Sequence, residues 1–412
     1  MLGVKTIGNA TLIAYDDVAV LATDPWFGDE DPAFFGSWWL PNRIPAAERS
    51  DIQRARYIWF SHGHQDHLNP NSIERLRHLS ILLPDHVGGR IRNDLESQGY
   101  NVRTLPDGRW VQLSKRIRIY CIADYNQDAI LLVDVGGRLF IDMNDTEART
   151  HTRIIRGLAR EFSHSYLLRL AGYSAGMINF VDQNGNRVER KFEPSVGHGL
   201  ALSAQRVGAK SVIPFSSFQR FQREDSAWAN DYEVPLSGYR QGFDERLAEF
   251  IPPFVWIDCA SGEILNLDPP EAPFVLHKPE EFGDSWSDEL SSDDRRVING
   301  YFRRKEKLHD MLGFIRFEVG GKSHTIDLAG PCDRGITFVA PRNSLMAAVT
   351  HKVFDDLGGA NFMRATLHNL ESLYSPQSLY SPSFNAVVGK WGVQRICRDQ
   401  EANQIVFGGI SQ

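Results

Sequence analysis

Apolar residues in the first 265 positions fall into short runs rather than long helical stripes. "VKTIGNATLIAYDD" (4–17) and "VAVLATDPW" (18–26) are β-rich and split by a turn, the pattern of a hairpin. "ARYIWFSH" (55–62) is a continuous apolar run, as a strand buried on both faces requires. "NSIERLRHL" (71–79) then places its apolar residues at helical spacing, with Asn71 or Ser72 positioned as the cap. Strand-like "SILLPD" (80–85), helical "RIRNDLESQGY" (90–100) and three strand runs, "RIRIYCIAD", "AILLVDV" and "RLFIDMND", follow, the last two joined at Gly136–Gly137. A helix at "GLALSAQRVG" (199–208) leads into a strand at "KSVIPF" (210–215). Strand–helix alternation followed by a run of strands predicts an α/β sandwich.

The pattern changes after residue 265. Positions 266–290, with "NLDPPEAP" and "HKPEEFGDSW", are rich in proline and charge and read as a linker. Beyond them "DDRRVINGYFRRKEKLHDML" (293–312) reads as one helix, "FIRFEVGGKSHTIDL" (314–328) as a hairpin around Gly320–Gly321, and "SLMAAVTHKVFDDLGG" (344–359) as a helix stopped by glycine. "SLYSPQSLYSP" (372–382) repeats Leu-Tyr-Ser-Pro over too short a span for a solenoid. The expected organisation is a domain over 1–265, the linker, and a smaller α+β domain over 291–412.

Composition narrows the function. The chain has 412 residues and a formal net charge of −7, so no basic stripe is available for nucleic acid or an anionic membrane. Cys121, Cys259, Cys332 and Cys397 lack CxxC spacing, which indicates neither a disulfide framework nor a thiolate zinc site. The N-terminal stretch lacks a signal-peptide pattern, and no eighteen-residue apolar run occurs. The expectation is a soluble, cytoplasmic protein acting on a small molecule, with neither nucleic acid nor membrane as partner.

The chemistry concentrates in "SHGHQDH" (61–67), directly after the buried strand run. His62 and His64 are two apart, so in extended backbone both imidazoles leave on one side and can clasp one metal. Asp66 and His67 follow where the chain must turn, and can face a second metal nearby. Imidazole with carboxylate suits zinc, iron or manganese.

"SHGHQDHL" resembles the signature of the metallo-β-lactamase superfamily, and the order of elements around it agrees over about the first 265 residues. The resemblance implies an αββα sandwich with a one- or two-metal site at one edge of the sheets. It places His62 and His64 on the first metal and Asp66 and His67 on the second. Asp145 in "LFIDMNDT" would be the bridging carboxylate, with Asp142 the lesser choice, and Asp24 in "ATDPW" would support the ligand loop from behind, if it is not simply a turn-forming Asp-Pro. "GNATLI", "TDPWF", "PAFFGSWW", "LAGYSAG" and "PFSSFQRF" are similar to segments of the CMP-N-acetylneuraminate hydroxylase family, without the Cys-His pairs of that family's Rieske module.

Two departures from the superfamily pattern matter. No histidine occurs in "ADYNQDAILLV", where the third ligand of the first metal is expected; Asp124 takes the position, with Asp128 four residues later. None occurs in "SSFQRFQREDSAW" either, where Glu224 or Asp225 would fill the last position, or the second metal would keep it open. Two imidazoles with terminal and bridging carboxylates form a hard, anionic set, like the two-histidine-one-carboxylate arrangement on iron. In this the chain resembles the diiron monooxygenases of natural-product pathways, such as the platensimycin type. The implied function is hydroxylation of a C–H bond by two Fe ions, with O2 as co-substrate and an electron-donor protein as a partner; the alternative is a hydrolase with two Zn ions, in which Asp66 orients a metal-bound hydroxide.

Trp26, Phe27, Phe34, Phe35, Trp38 and Trp39 crowd one segment, either as the wall of an apolar pocket suited to a terpenoid or other hydrophobic acid or as packing against the second domain. Arg169, Arg220 and Arg223 are either carboxylate or phosphate binders or solvated surface.

Overall fold

The computed structural model describes residues 1–124, 127–146, 148, 151–171, 178–187 and 195–370. Most of "LAGYSAG" and all of the Leu-Tyr-Ser-Pro repeat lie outside them.

Two sheets lie face to face. The first has eight strands, in the order Ile264–Asn266, Val255–Asp258, Leu2–Ile7, Thr11–Asp16, Val18–Thr23, Tyr57–Trp59, Ser80–Leu83 and Asn101–Thr104. The second has seven: Glu249–Phe250, Ser211–Ser216, His164–Leu170, Arg138–Asn144, Ala129–Val135, Ile117–Ala123 and Trp110–Gln112. In each sheet an antiparallel half meets a parallel half, so parallel strands such as Tyr57–Trp59 are apolar throughout.

Strand alternation sorts the side chains into layers. Leu12, Ala14, Leu21 and Leu82 of the first sheet interlock with Ile119, Leu131, Val133, Phe140 and Leu168 of the second. On the outer face of the first sheet, Ile13, Ile58 and Ile81 pack against Ile52, Ile73 and Leu95 of the helices Ala46–Arg54, Pro70–Glu74 and Arg90–Ser97. On the outer face of the second, Leu132, Ile141, Leu167 and Val212 pack against Ile155, Leu200 and Ala204 of the helices Thr152–Ala159 and Val196–Val207. The layering is αββα, as expected.

A third sheet of five strands runs Phe180–Asp182, Arg364–His368, Gly335–Val339, Phe314–Val319 and Lys322–Asp327. Its first strand comes from inside the region assigned to the N-terminal domain, so a cut at residues 266–290 does not separate the sheets. The stretch read as a linker is strapped down. Asp284 ion-pairs with the fully buried Arg223 at 2.7 Å, and Arg223 pairs through the backbone with His277.

Three local readings change. The helix after the histidine motif is capped by Asn69, whose side chain accepts from the amides of Asn71 and Ser72 at 3.0 Å, because Pro70 supplies a preset first turn. The run 293–312 breaks into Ser292–Phe302 and Glu306–Met311. The run 344–359 breaks into Arg342–His351 and Phe354–Ala360, since Lys352 turns left-handed at φ 61°. Trp26, Phe34 and Trp38 share one apolar cluster with Phe302, Phe317 and Phe354, so the aromatic segment is chiefly the interface with the C-terminal sheet.

Glu233 accepts from Gln219 at 2.9 Å, and burial pushes its carboxyl up to about 8. A carboxyl raised on folding contributes stability that is full below its unfolded value near 4 and lost as pH climbs through 8. Glu233→Gln is expected to leave the melting temperature unchanged at pH 5 and to stabilise the fold at pH 9 by ~1–2 kcal/mol, allowing for partial solvent access. Melting curves of both proteins across that range check it; parallel curves would show that Glu233 ionises freely.

Among the described residues no helix is long and apolar enough to cross a membrane.

Candidate metal centre

Functional side chains gather where strands of both sheets end. Asp24 follows Val18–Thr23, Ser61 to His67 follow Tyr57–Trp59, Asp124 follows Ile117–Ala123, and Asp145 follows Arg138–Asn144. Chain ends there are free of the ladder, so side chains converge on one edge.

Asp24 organises the motif from beneath. It is fully buried and sits at φ 38°, so it makes the turn and also serves as an acceptor hub. Its carboxylate accepts from the Ser61 amide at 2.7 Å, the Ser61 hydroxyl at 2.6 Å, Asn144 Nδ2 at 3.0 Å and His67 Nδ1 at 3.1 Å. A carboxylate only accepts, so His67 carries its proton on Nδ1. The Ser61 hydroxyl spends its own proton on Asp24, so it accepts from His62 Nδ1 at 2.9 Å; Asp128 Oδ1 lies 3.4 Å from the same nitrogen. Both imidazoles therefore present a bare Nε2.

The bare nitrogens converge on Asp145. Its Oδ2 is 3.9 Å from His62 Nε2 and 3.8 Å from His67 Nε2, while Ser216 donates to Oδ1 at 3.3 Å. His64 Nδ1 lies 2.8 Å from His62 Nε2. Ligand atoms of His62, His64 and Asp145 fall within 4.8 Å of one another. Asp66 Oδ2 is 3.2 Å from His67 Nε2 and accepts from Asn9 at 3.2 Å.

This donor set fits metal. His67 Nε2 is buried and makes no hydrogen bond, and His62 Nε2 faces another imidazole nitrogen; both call for a cation. The surroundings are also strongly anionic. Burial disfavours charge on His67, yet Asp66 and Asp145 hold its pKa well above the ordinary value; burial likewise opposes charge on Asp66, and His67 keeps it low. Buried Asp142, whose carboxyl oxygens have no hydrogen-bond partner among the described residues, is pushed well above the ordinary carboxylate range by burial and then by Asp24.

Other expected ligands fall differently. Asp124 accepts from Thr146 at 3.3 Å, one residue past Asp145. Asp225 has partners of its own. Its carboxylate lies 3.0 Å from Arg223 Nε and accepts from Trp286 at 2.9 Å, so an arginine already neutralises it. Glu224 is exposed. Of the arginines, Arg169 donates to the Thr146 carbonyl, Arg220 pairs with Glu271 at 2.6 Å, and Arg223 is wholly buried under the Phe362 ring rather than solvated.

Two groups at the site were not anticipated. Asp355 and Asp356 of the helix Phe354–Ala360 meet the motif, and His64, Asp355 and Asp356 form a second set of ligand atoms within 4.8 Å. The sole sequence signal was an Asp-Asp pair in a helix start, where acids are ordinary.

No family model matches the chain. It is 31% identical over 135 residues to the cytidine monophosphate-N-acetylneuraminic acid hydroxylase of Asterias rubens, covering 31% of this chain and 20% of the relative. The corresponding protein of Sus scrofa is 29% identical over 131 residues, 30% of each chain. The matched stretches thus span under a third of these relatives. Over these stretches the chain is similar to cytidine monophosphate-N-acetylneuraminic acid hydroxylases, and its αββα layering is that of the metallo-β-lactamase fold.

Solved structures with a similar arrangement include isothiocyanate hydrolase from Delia radicum gut bacteria (TM-score 0.40, 14% identity, 65% of this chain and 99% of that one). Another is CmlA, a diiron β-hydroxylase from Streptomyces venezuelae (TM-score 0.39, 15% identity, 65% and 54%). Carboxylates of Asp128 and Asp145 stand beside His62, and that of Asp355 beside His64.

Proposed function

We propose that this chain is a non-haem diiron monooxygenase that hydroxylates a C–H bond of a small organic molecule. The observation that carries the reading is the donor set: His62 and His64 are joined by Asp145, with the carboxylates of Asp128 and Asp355 close by. Oxygen-rich sets of this kind are hard and anionic and suit iron over zinc. The hydroxylase names of the matched relatives point the same way. Two irons so held would supply O2 activation. The balance is one C–H and one O2 converted to C–OH and water, with two electrons and two protons from an external donor, for which a small redox protein is the natural partner.

The chain's own residues do the rest. Asp145 stands between the His62–His64 pair and His67, placed to be shared. Asn9 anchors Asp66, and Asp24 fixes the rings of His62, through Ser61, and of His67.

Protein grown in iron-57 medium is expected to hold two antiferromagnetically coupled irons per chain by Mössbauer spectroscopy. With reductant, 18O2 and a substrate panel, it should yield product carrying one 18O atom. Zinc at full occupancy, with iron unable to bind when zinc is withheld and hydrolysis proceeding without oxygen, would return the chain to the hydrolases.

A further inference from the structure

Successive residues of the motif loop are gripped by successive aspartates of one C-terminal helix. His64 Nε2 lies 3.3 Å from Asp355 Oδ2, and Gln65 donates to Asp356 Oδ2 at 3.1 Å. The grip belongs to a wider docking surface. Trp38 Nε1 donates to the Gly359 carbonyl at 2.9 Å, the Ser37 hydroxyl to the Ala360 carbonyl at 2.6 Å, and Arg90 to the His351 carbonyl at 2.7 Å. Phe34, whose ring centre is 6.2 Å from that of His64, packs so closely on the helix that a β-carbon at Gly359 would stand 3.2 Å from it.

The contact has a chemical consequence. A carboxylate only accepts, so the proton of neutral His64 sits on Nε2 and its Nδ1 is left bare. That nitrogen is the one 2.8 Å from the bare His62 Nε2. We propose that Asp355 is a positioning residue of the metal centre: the C-terminal domain sets the tautomer and ring plane of His64, and the metal held by His62, His64 and Asp145 depends on it. The dependence runs both ways, because a metal that prefers the docked domain also stabilises the docking. The inference stands whether the centre oxygenates or hydrolyses.

The test is a titration of the full metal-free chain with Co(II), whose visible absorption reports coordination, in competition with a chelator and without oxygen or substrate. Asp355→Ala is expected to bind the same number of ions with affinity at one position weakened about 10–100-fold and its absorption bands moved. Asp355→Asn keeps an acceptor oxygen and should recover most of the affinity. If the alanine variant fails to fold, Asp355→Leu, similar in size and without an acceptor, must show the same loss in a chain folded by circular dichroism. Unchanged affinity and spectrum in the folded Ala or Leu variant would overturn the proposal. So would the loss of a whole metal equivalent in Asp355→Asn, which would make Asp355 a ligand in its own right.

Discussion

Asp24→Ala is expected to unfold the protein or leave it barely folded at 25 °C. Four donors converge on this fully buried carboxylate: the Ser61 amide and hydroxyl, His67 Nδ1 and Asn144 Nδ2. Alanine would strand them away from water at about 1–3 kcal/mol each, a sum on the scale of a whole domain's stability of about 5–15 kcal/mol. The turn adds to the cost, since φ 38° favours Asp over Ala. Urea denaturation followed by circular dichroism measures the loss. A variant that melts within a few degrees of the parent and binds metal equally well would show that Asp24 serves the turn alone. Asp24→Asn, keeping one acceptor oxygen, should fall between.

Asp145→Ala should do the opposite, sparing the fold and disabling the centre. The Asp145 side chain is 27% exposed and accepts from Ser216, so its loss costs stability little. Its Oδ2 also lies within 4 Å of both His62 Nε2 and His67 Nε2. On the proposed two-metal reading each position would lose an anionic ligand without it, so metal content should fall from two toward one or none. The metal-dependent rate should drop by at least about 10^3, equivalent to ~4 kcal/mol. Elemental analysis and a melting curve on one preparation check both halves. Full metal content in the variant would remove Asp145 from the ligand set.

The contrast between Asp24 and Asp145 bears on what a single sequence discloses. The layers were legible because strands such as Tyr57–Trp59 are apolar throughout, and the Gly136–Gly137 turn marks a hairpin. His62, His64, Asp66 and His67 were legible because they are contiguous, and Asp24 and Asp145 because they follow strands in a recognisable order. Asp355 and Asp356 were not. They arrive from almost 300 residues downstream, and the helix that carries them starts at Phe354 after a left-handed Lys352 that no glycine or proline announces. The Arg223–Asp225 pair was not legible either, because local sequence cannot show that Arg223 points inward. Charge in a sequence is silent about burial, and long-range ion pairs are decided by packing.

The strand Phe180–Asp182 leaves its mark on how the chain must be made. It lies in the middle of the polypeptide, yet its parallel partner, Arg364–His368, emerges from the ribosome more than 180 residues later. Until then the ladder to that partner is unformed, and Ala365 and Leu367 of the same apolar cluster are not there to cover Phe180. The αββα sandwich can condense first, but the nascent chain carries an open edge throughout synthesis of the last third. Because Asp355 arrives with that same last third, the histidine loop gains its outer support only at the end of translation, so the metal centre is finished last.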